Sequence, residues 1–172
     1  VGSEMCIRDR TTPTTESVSG KAALLESKDA VIKLGAGNIF TGDFALDGTN
    51  GVLQLGRPFT SFPTSLKFQY KYTSTTINRI GQDVGSLENL RGRPDSCQIY
   101  IALSDKPEPY EIRTKPSVRQ VFDKNDRNII AYGEFISGQS TTSYKQVEIP
   151  LEYRATNRTP KYIAVSYTHL RA

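Results

Sequence analysis

The residues best placed to do chemistry in this sequence are Tyr132-Gly133-Glu134, where a phenol and a carboxylate flank a glycine inside the apolar run from Ile129 to Ile136. An acidic side chain in such a run needs solvent or a partner, and glycine in a strand marks a bulge or the close approach of a ligand or another backbone. Glu134 can accept hydrogen bonds from sugar hydroxyls or serve as a general acid. The plainer alternative pairs it with a lysine or arginine of an adjacent strand, for which Arg57 in Gly56-Arg57-Pro58-Phe59 is the candidate. Glycoside hydrolysis needs a second carboxyl group at a set separation across the scissile bond. Asp95 and Glu152 are available for that role, yet no local Glu-x-Asp-x-x-Glu arrangement occurs. No catalytic residue is therefore assigned beyond the candidacy of Glu134, and the expected activity is binding rather than hydrolysis.

Binding a sugar requires a flat apolar platform for the pyranose C–H groups and planar polar side chains for its hydroxyls. The chain has no tryptophan but nine tyrosines and seven phenylalanines, and tyrosine offers an apolar ring with a polar tip. In Leu66-Lys67-Phe68-Gln69-Tyr70-Lys71-Tyr72, aromatic residues at every second position are expected to face a core. Tyr72, beside Thr73-Ser74-Thr75, is the one expected to be partly exposed. The expected carbohydrate-contacting set is Tyr132, Glu134, Arg57 and Tyr72.

Both ends of the chain read differently from its middle. Val1–Arg10, VGSEMCIRDR, and Val165–Ala172, VSYTHLRA, resemble the two strands of a transposon adapter used in DNA sequencing, translated in frame. They are expected to be adapter-derived rather than native. Setting them aside removes His169, the single histidine, Met5, the single methionine, and Cys6. Without histidine, a Ser-His-Asp triad, a Cys-His pair and a histidine-ligated zinc site are excluded for residues 11–164. Cys97, left as the one cysteine, is expected to be a packed core residue. The formal charge of +4 is too modest to argue for nucleic acid, even with Lys67 and Lys71 set among aromatics. No apolar run approaches the roughly 20 residues that span a membrane as a helix.

Positioning these residues falls to strands. Residues 11–19, TTPTTESVS, suit an extended linker, and a single domain is expected over residues 20–164. There, short apolar stretches alternate with turn residues, the pattern of an all-β sandwich. They include Ala30–Leu34, Asn38–Leu46, Gly51–Leu55, Leu66–Thr73, Gln98–Ser104, Asn128–Ile136 and Tyr144–Tyr153. Pro150 within Val147–Tyr153 implies an edge or a bulge, because proline cannot donate to a ladder. Asp47-Gly48-Thr49-Asn50-Gly51, Asp105–Pro109 and Asp123–Asn128 read as turns, and Ser86–Leu90 as a short helical piece. Asp123-Lys124-Asn125-Asp126 carries oxygen ligands for Ca²⁺ but departs from the D-x-[DN]-x-[DN]-G loop. It is read as a polar turn, with no cofactor expected and Ca²⁺ kept as the alternative.

Several segments, taken in order, resemble the bacterial family called the putative carbohydrate metabolism domain. They are Gly37-Asn38-Ile39-Phe40-Thr41-Gly42, then Gly56-Arg57-Pro58-Phe59 through Phe62-Pro63-Thr64-Ser65-Leu66 to Tyr70-Lys71-Tyr72. Asp95-Ser96-Cys97-Gln98-Ile99-Tyr100-Ile101 and Ile129-Ile130-Ala131-Tyr132-Gly133-Glu134 follow. The resemblance implies a jelly-roll-like antiparallel β-sandwich similar to carbohydrate-binding modules, with a polysaccharide or other glycan as partner. It also implies an extracellular or outer-membrane surface location, beside other modules of the same protein. A structural or adhesion module without sugar affinity is the alternative, and a glycoside hydrolase the next. Family members continue with a Gly-Asp-Tyr-Phe-type segment and a final strand, so the domain is expected to be truncated at its C-terminal end. Phe62-Pro63-Thr64 stands where the family tends to have Arg-Pro-Thr, which removes a basic side chain at position 62.

Overall fold

The computed structural model describes residues 11–29, 34–35, 37–48, 50–78, 85–113 and 115–170, and almost all regular structure there is β. In chain order the strands are β1 (Thr11–Thr14), β2 (Ala22–Leu25), β3 (Lys28–Asp29), β4 (Leu34–Gly35) and β5 (Asn38–Phe40). Next come β6 (Gly42–Asp47), β7 (Asn50–Leu55), β8 (Arg57–Pro58), β9 (Ser65–Tyr70) and β10 (Ser96–Ser104). The last are β11 (Tyr110–Arg113), β12 (Ile129–Ser137), β13 (Lys145–Pro150), β14 (Glu152–Tyr153) and β15 (Tyr162–Leu170). Short 3-10 helices lie at Gly85–Leu90, over the expected helical piece, and at Pro116–Val118. Val1–Arg10, most of the Ala30–Leu34 stretch and Thr49 fall outside the described residues.

The architecture is an antiparallel β-sandwich built around one sheet in the order β14-β12-β10-β15-β5, with β8 also paired to β15. Its middle is the nine-residue strand β10, hydrogen-bonded to β12 and β15. Alternation along β10 divides its side chains between two faces. Cys97, Ile99, Ile101 and Leu103 enter one core with Leu66, Phe68 and Tyr70 of β9 and Val147 and Ile149 of β13. Ala102 and Tyr100 enter a second core with Leu55 of β7, Tyr110 and Ile112 of β11, and Tyr132 of β12. The β9–β13 pair thus covers one face, and β6-β7-β11 covers the other.

The period-two reading of β9 holds: Phe68 packs edge-on to Tyr70 at 6.2 Å and to Tyr167 at 5.6 Å. Tyr72 lies beyond the end of β9 yet is only 8% exposed and belongs to the same core. The expected partial exposure of Tyr72 is therefore wrong. Its amide is held by the Thr141 hydroxyl at 3.0 Å and its carbonyl by the Thr141 amide at 2.8 Å, which turns the chain inward past the strand's end. Cys97 is a buried free thiol, as expected.

Pro150 closes β13, which pairs only with β9 in its ladder. The ladder between β10 and β12 shifts register between Leu103 and Ser104, passing over Ile130. The carbonyl of Ile130 instead accepts the amide of Arg154 at 2.8 Å, and this bulge ties β12 to the chain leaving β14. Thr11–Thr14, read as linker, is extended and pairs with β2. β15 runs through residues that resemble translated adapter. Val165-Ser166-Tyr167-Thr168 alternates apolar and polar, so Val165 and Tyr167 join the first core while Ser166 and Thr168 face the other side.

Candidate functional site

At one end of the second face the sandwich opens into a cleft of about 460 Å³, within the roughly 300–1,000 Å³ usual for small-ligand sites. Ladder register sets the floor in rows, because residues directly opposite on neighbouring strands point the same way. Glu134 of β12 lies opposite Tyr100 of β10, which lies opposite Ser166 of β15 and then Phe40 of β5. The next row outward is Gln98, Thr168 and Asn38. Leu53, Leu55 and Ile112 form the facing wall, and Val121, Phe122 and Lys124 close the remaining side.

Glu134 is the centre of polar contacts in this cleft. Its Oε2 accepts from Gln98 Nε2 at 3.1 Å and from the Tyr132 hydroxyl at 3.2 Å, and its Oε1 is paired with Lys124 Nζ. The ammonium beside it, and to a lesser degree the Gln98 amide, hold the Glu134 carboxyl below its ordinary value against the opposing effect of burial. These contacts favour the charged form of Glu134, which accepts hydrogen bonds. Among the described residues lining the cleft it is the only carboxylate.

The rings of Tyr100, Phe122 and Tyr132 stand beside it. Phe122 stacks on Tyr100 with centroids 5.2 Å apart and planes 14° from parallel, and on Tyr132 at 6.5 Å and 24°. Tyr110 meets Phe122 edge-on at 5.2 Å. Burial pushes the Tyr100 phenol up to about 12, and burial together with the Glu134 charge raises Tyr132 as well. Two cations overlie the Tyr132 ring, Lys124 Nζ at 5.5 Å and the Arg154 guanidinium at 5.8 Å, both within cation–π reach.

Of the four residues expected from sequence to contact sugar, the structure brings two together. Tyr132 and Glu134 share the cleft, Tyr72 lies in the core on the opposite face, and Arg57 is elsewhere. The expected Arg57–Glu134 pair is not formed. Arg57 reaches Asp43 through two hydrogen bonds of 3.1 and 2.8 Å and the Gly42 carbonyl at 3.0 Å, because β8 pairs at the Ile163 end of β15. The cation on Glu134 comes not from an adjacent strand but from Lys124, in the loop that leads into β12.

Neither proposed second carboxylate lines the cleft. Asp95 is 1% exposed and accepts the Ser96 amide at 2.8 Å, and Glu152 is exposed on β14. Gly133 marks the close approach of a backbone rather than a ligand, since a Cβ there would stand 2.4 Å from the Pro150 carbonyl oxygen. The Asp123 and Asp126 carboxylates accept amides of their own turn, from Asn125 at 2.8 Å and Asn128 at 2.7 Å.

Sequence reasoning missed Gln98, Tyr100, Phe122 and Lys124. The first two carried a signal, as the alternate positions of an otherwise apolar run that must face away from the first core. Phe122 and Lys124 stand in a polar loop whose path over the sheet no local pattern reveals.

The family described as the putative carbohydrate metabolism domain matches residues 5–168, and the chain belongs to it. No curated protein matches the chain. Two solved structures, each described as a putative glycoside hydrolase, share the fold. One, from Bacteroides thetaiotaomicron, has a TM-score of 0.66 at 19% identity over 92% of this chain and 49% of its own. The other, from Bacteroides vulgatus, has a TM-score of 0.63 at 16% identity over 92% of this chain and 67% of its own. The chain thus spans about half the length of the first.

Proposed function

We propose that this member of the putative carbohydrate metabolism domain family binds a glycan in the cleft between its central sheet and β7–β11, without cleaving it. One observation carries the reading: a carboxylate, held by Gln98, Tyr132 and Lys124, sits beside an aromatic cluster at the mouth of the sandwich. Such a pairing offers hydroxyl groups an acceptor and a donor, and sugar C–H faces an apolar ring. Hydrolysis by paired carboxyl groups would ask for a protonated acid and a second carboxyl across the bond. Glu134 is held toward its charged form and is the one described carboxylate lining this cleft.

Titrating the chain with plant and host polysaccharides should give saturable binding that a Glu134→Gln variant of unchanged circular dichroism loses. Absence of saturable binding to every polysaccharide would sink the proposal and leave the structural or adhesion reading. The hydrolase names of the two structural neighbours favour a second reading, catalysis. Reducing ends that accumulate with time and disappear in the Glu134→Gln variant would replace binding with cleavage. The same proposal puts the domain outside the cell or on the outer-membrane surface, among other modules of its protein. Cleavage of the domain by protease added to intact cells checks that, and full protection would count against it.

A further inference from the structure

The side chains that close the cleft occupy the features a sugar would use. Phe122 lies nearly parallel to Tyr100 at stacking distance and covers Tyr132 as well. Lys124, two residues on, fills one oxygen of Glu134 while its ammonium also sits over the Tyr132 ring. An apolar flat body followed by a hydrogen-bond donor is the outline of a pyranose ring with a neighbouring hydroxyl.

The segment carrying them crosses from β11, on the wall, to β12, on the floor, and is pinned at both ends. Gln120 exchanges two backbone hydrogen bonds with Arg113, of 2.8 and 3.0 Å, and the Asp123 carbonyl accepts the Asp126 amide at 3.2 Å. Between these points Val121 is 69% exposed. The two partners of Glu134 Oε2 belong to the sheet and are half-buried or buried, whereas the Lys124 side chain is 46% exposed. The replaceable part of the site is thus the pair of side chains, Phe122 and Lys124, carried on a backbone that Arg154 also holds at the Lys124 carbonyl, and the fixed part is the floor.

Resting on the glycan-binding reading, we infer that Phe122 and Lys124 are an internal surrogate of the ligand, displaced when a single pyranose ring with an apolar C–H face and adjacent hydroxyls enters. The ring takes the place of Phe122 on Tyr100, one hydroxyl donates to Glu134 Oε1 in place of Lys124, and the two displaced side chains turn outward between the pinned ends of the segment. The cleft then recognises one terminal or isolated sugar unit rather than a long run of chain.

Two variants of the whole chain test this against the polysaccharide that binds best and its monosaccharide. Lys124→Ala frees Glu134 Oε1 and removes one cation from the Tyr132 ring without replacing any residue of the floor. It should tighten binding about two- to fivefold, the worth of one partly exposed ion pair expressed as affinity. Phe122→Trp places a lone tryptophan in a chain that has none, and its emission should shift to longer wavelength on saturation as the ring leaves the cleft. Weaker binding by Lys124→Ala, or a tryptophan emission that stays put or shifts to shorter wavelength, would make the two side chains a fixed wall and overturn the displacement. Binding by neither the parent chain nor Lys124→Ala would instead fail the glycan reading itself.

Discussion

The two faces of the central sheet are made from the same strands and do opposite things. On the face under β9 and β13, β10 presents Cys97, Ile99, Ile101 and Leu103 to Phe68, Tyr70, Val147 and Ile149, and this side is packed along its length. On the other face the same strand presents Gln98, Tyr100 and Ala102, and packing is complete only at one end, where Leu55, Tyr110, Ala102 and Ala164 meet. Beyond that end the sheets part and Glu134, Gln98 and Tyr100 line the cleft. A strand's period of two lets one sequence specify a dry core and a polar recess at once, because each substitution is felt on one side only. Stability should therefore reside under β9–β13, and ligand contact on the side of β7–β11.

The largest effect that would break this division is Leu103→Ala. Leu103 is fully buried, and truncating a core leucine costs roughly 2–5 kcal/mol through lost transfer energy and the cavity left behind. Denaturant unfolding should show that loss while glycan affinity of the folded fraction stays at the parent value. A change in affinity as large as the change in stability would mean that the faces are not independent. Gly133→Ala should come next. Its added methyl would meet the Pro150 carbonyl oxygen at 2.4 Å and the Ile149 Cγ2 at 2.7 Å, and overpacking of this kind costs roughly 1–3 kcal/mol. The glycine lies between Tyr132 and Glu134 in sequence but on the opposite face, so the expected result is a weaker fold with the cleft intact. Selective loss of binding at unchanged stability would return Gly133 to the role of a ligand contact.

The stable face was the legible one. Alternation in residues 66–72 marks a half-buried strand wherever it occurs, and Pro150 implied an edge by what its nitrogen cannot do, which is where β13 lies, paired with β9 alone. The cleft was legible only in part. Tyr132 and Glu134 stood out because a charge in an apolar run must be answered, but what answers it, Lys124, comes from a loop whose course depends on the sandwich around it. Arg57 was assigned to Glu134 on charge alone. Nothing local says that β8 joins β15 at Ile163, beside Asp43, instead of β12. Tyr72 failed for the reverse reason: polar neighbours in sequence suggested exposure, while tertiary hydrogen bonds from Thr141 carry it inward. Val165–Thr168 lies within β15, inside the central sheet. Residues that resemble translated adapter alternate in the required period and take a place inside the sheet between β10 and β5.

The smallest effect isolates the cleft from the fold by pH. Glu134 has a folded pKa below its ordinary value of 4.5, chiefly because Lys124 bonds and charges against it. A depressed carboxyl contributes stability that is fully present above the unfolded value and is lost as pH falls through the folded one. Parent and Glu134→Gln should therefore differ modestly in stability at neutral pH, the difference should persist down to the ordinary carboxylate value, and it should close below that as both chains carry a neutral group. The ion pair is partly exposed, so salt should shrink the gap at neutral pH as well. Lys124→Ala should narrow the same gap in the same window, since among the described residues Gln98 and Tyr132 then remain to hold the carboxylate. Paired urea titrations of the parent and Glu134→Gln chains across this pH range measure it directly. A gap that widens toward acid would mean that the Glu134 carboxyl is raised rather than lowered in the folded chain. The residue would then hold a proton at mildly acid pH, and the comparison of the two faces would have to give the cleft an acid with a proton to donate rather than a fixed acceptor.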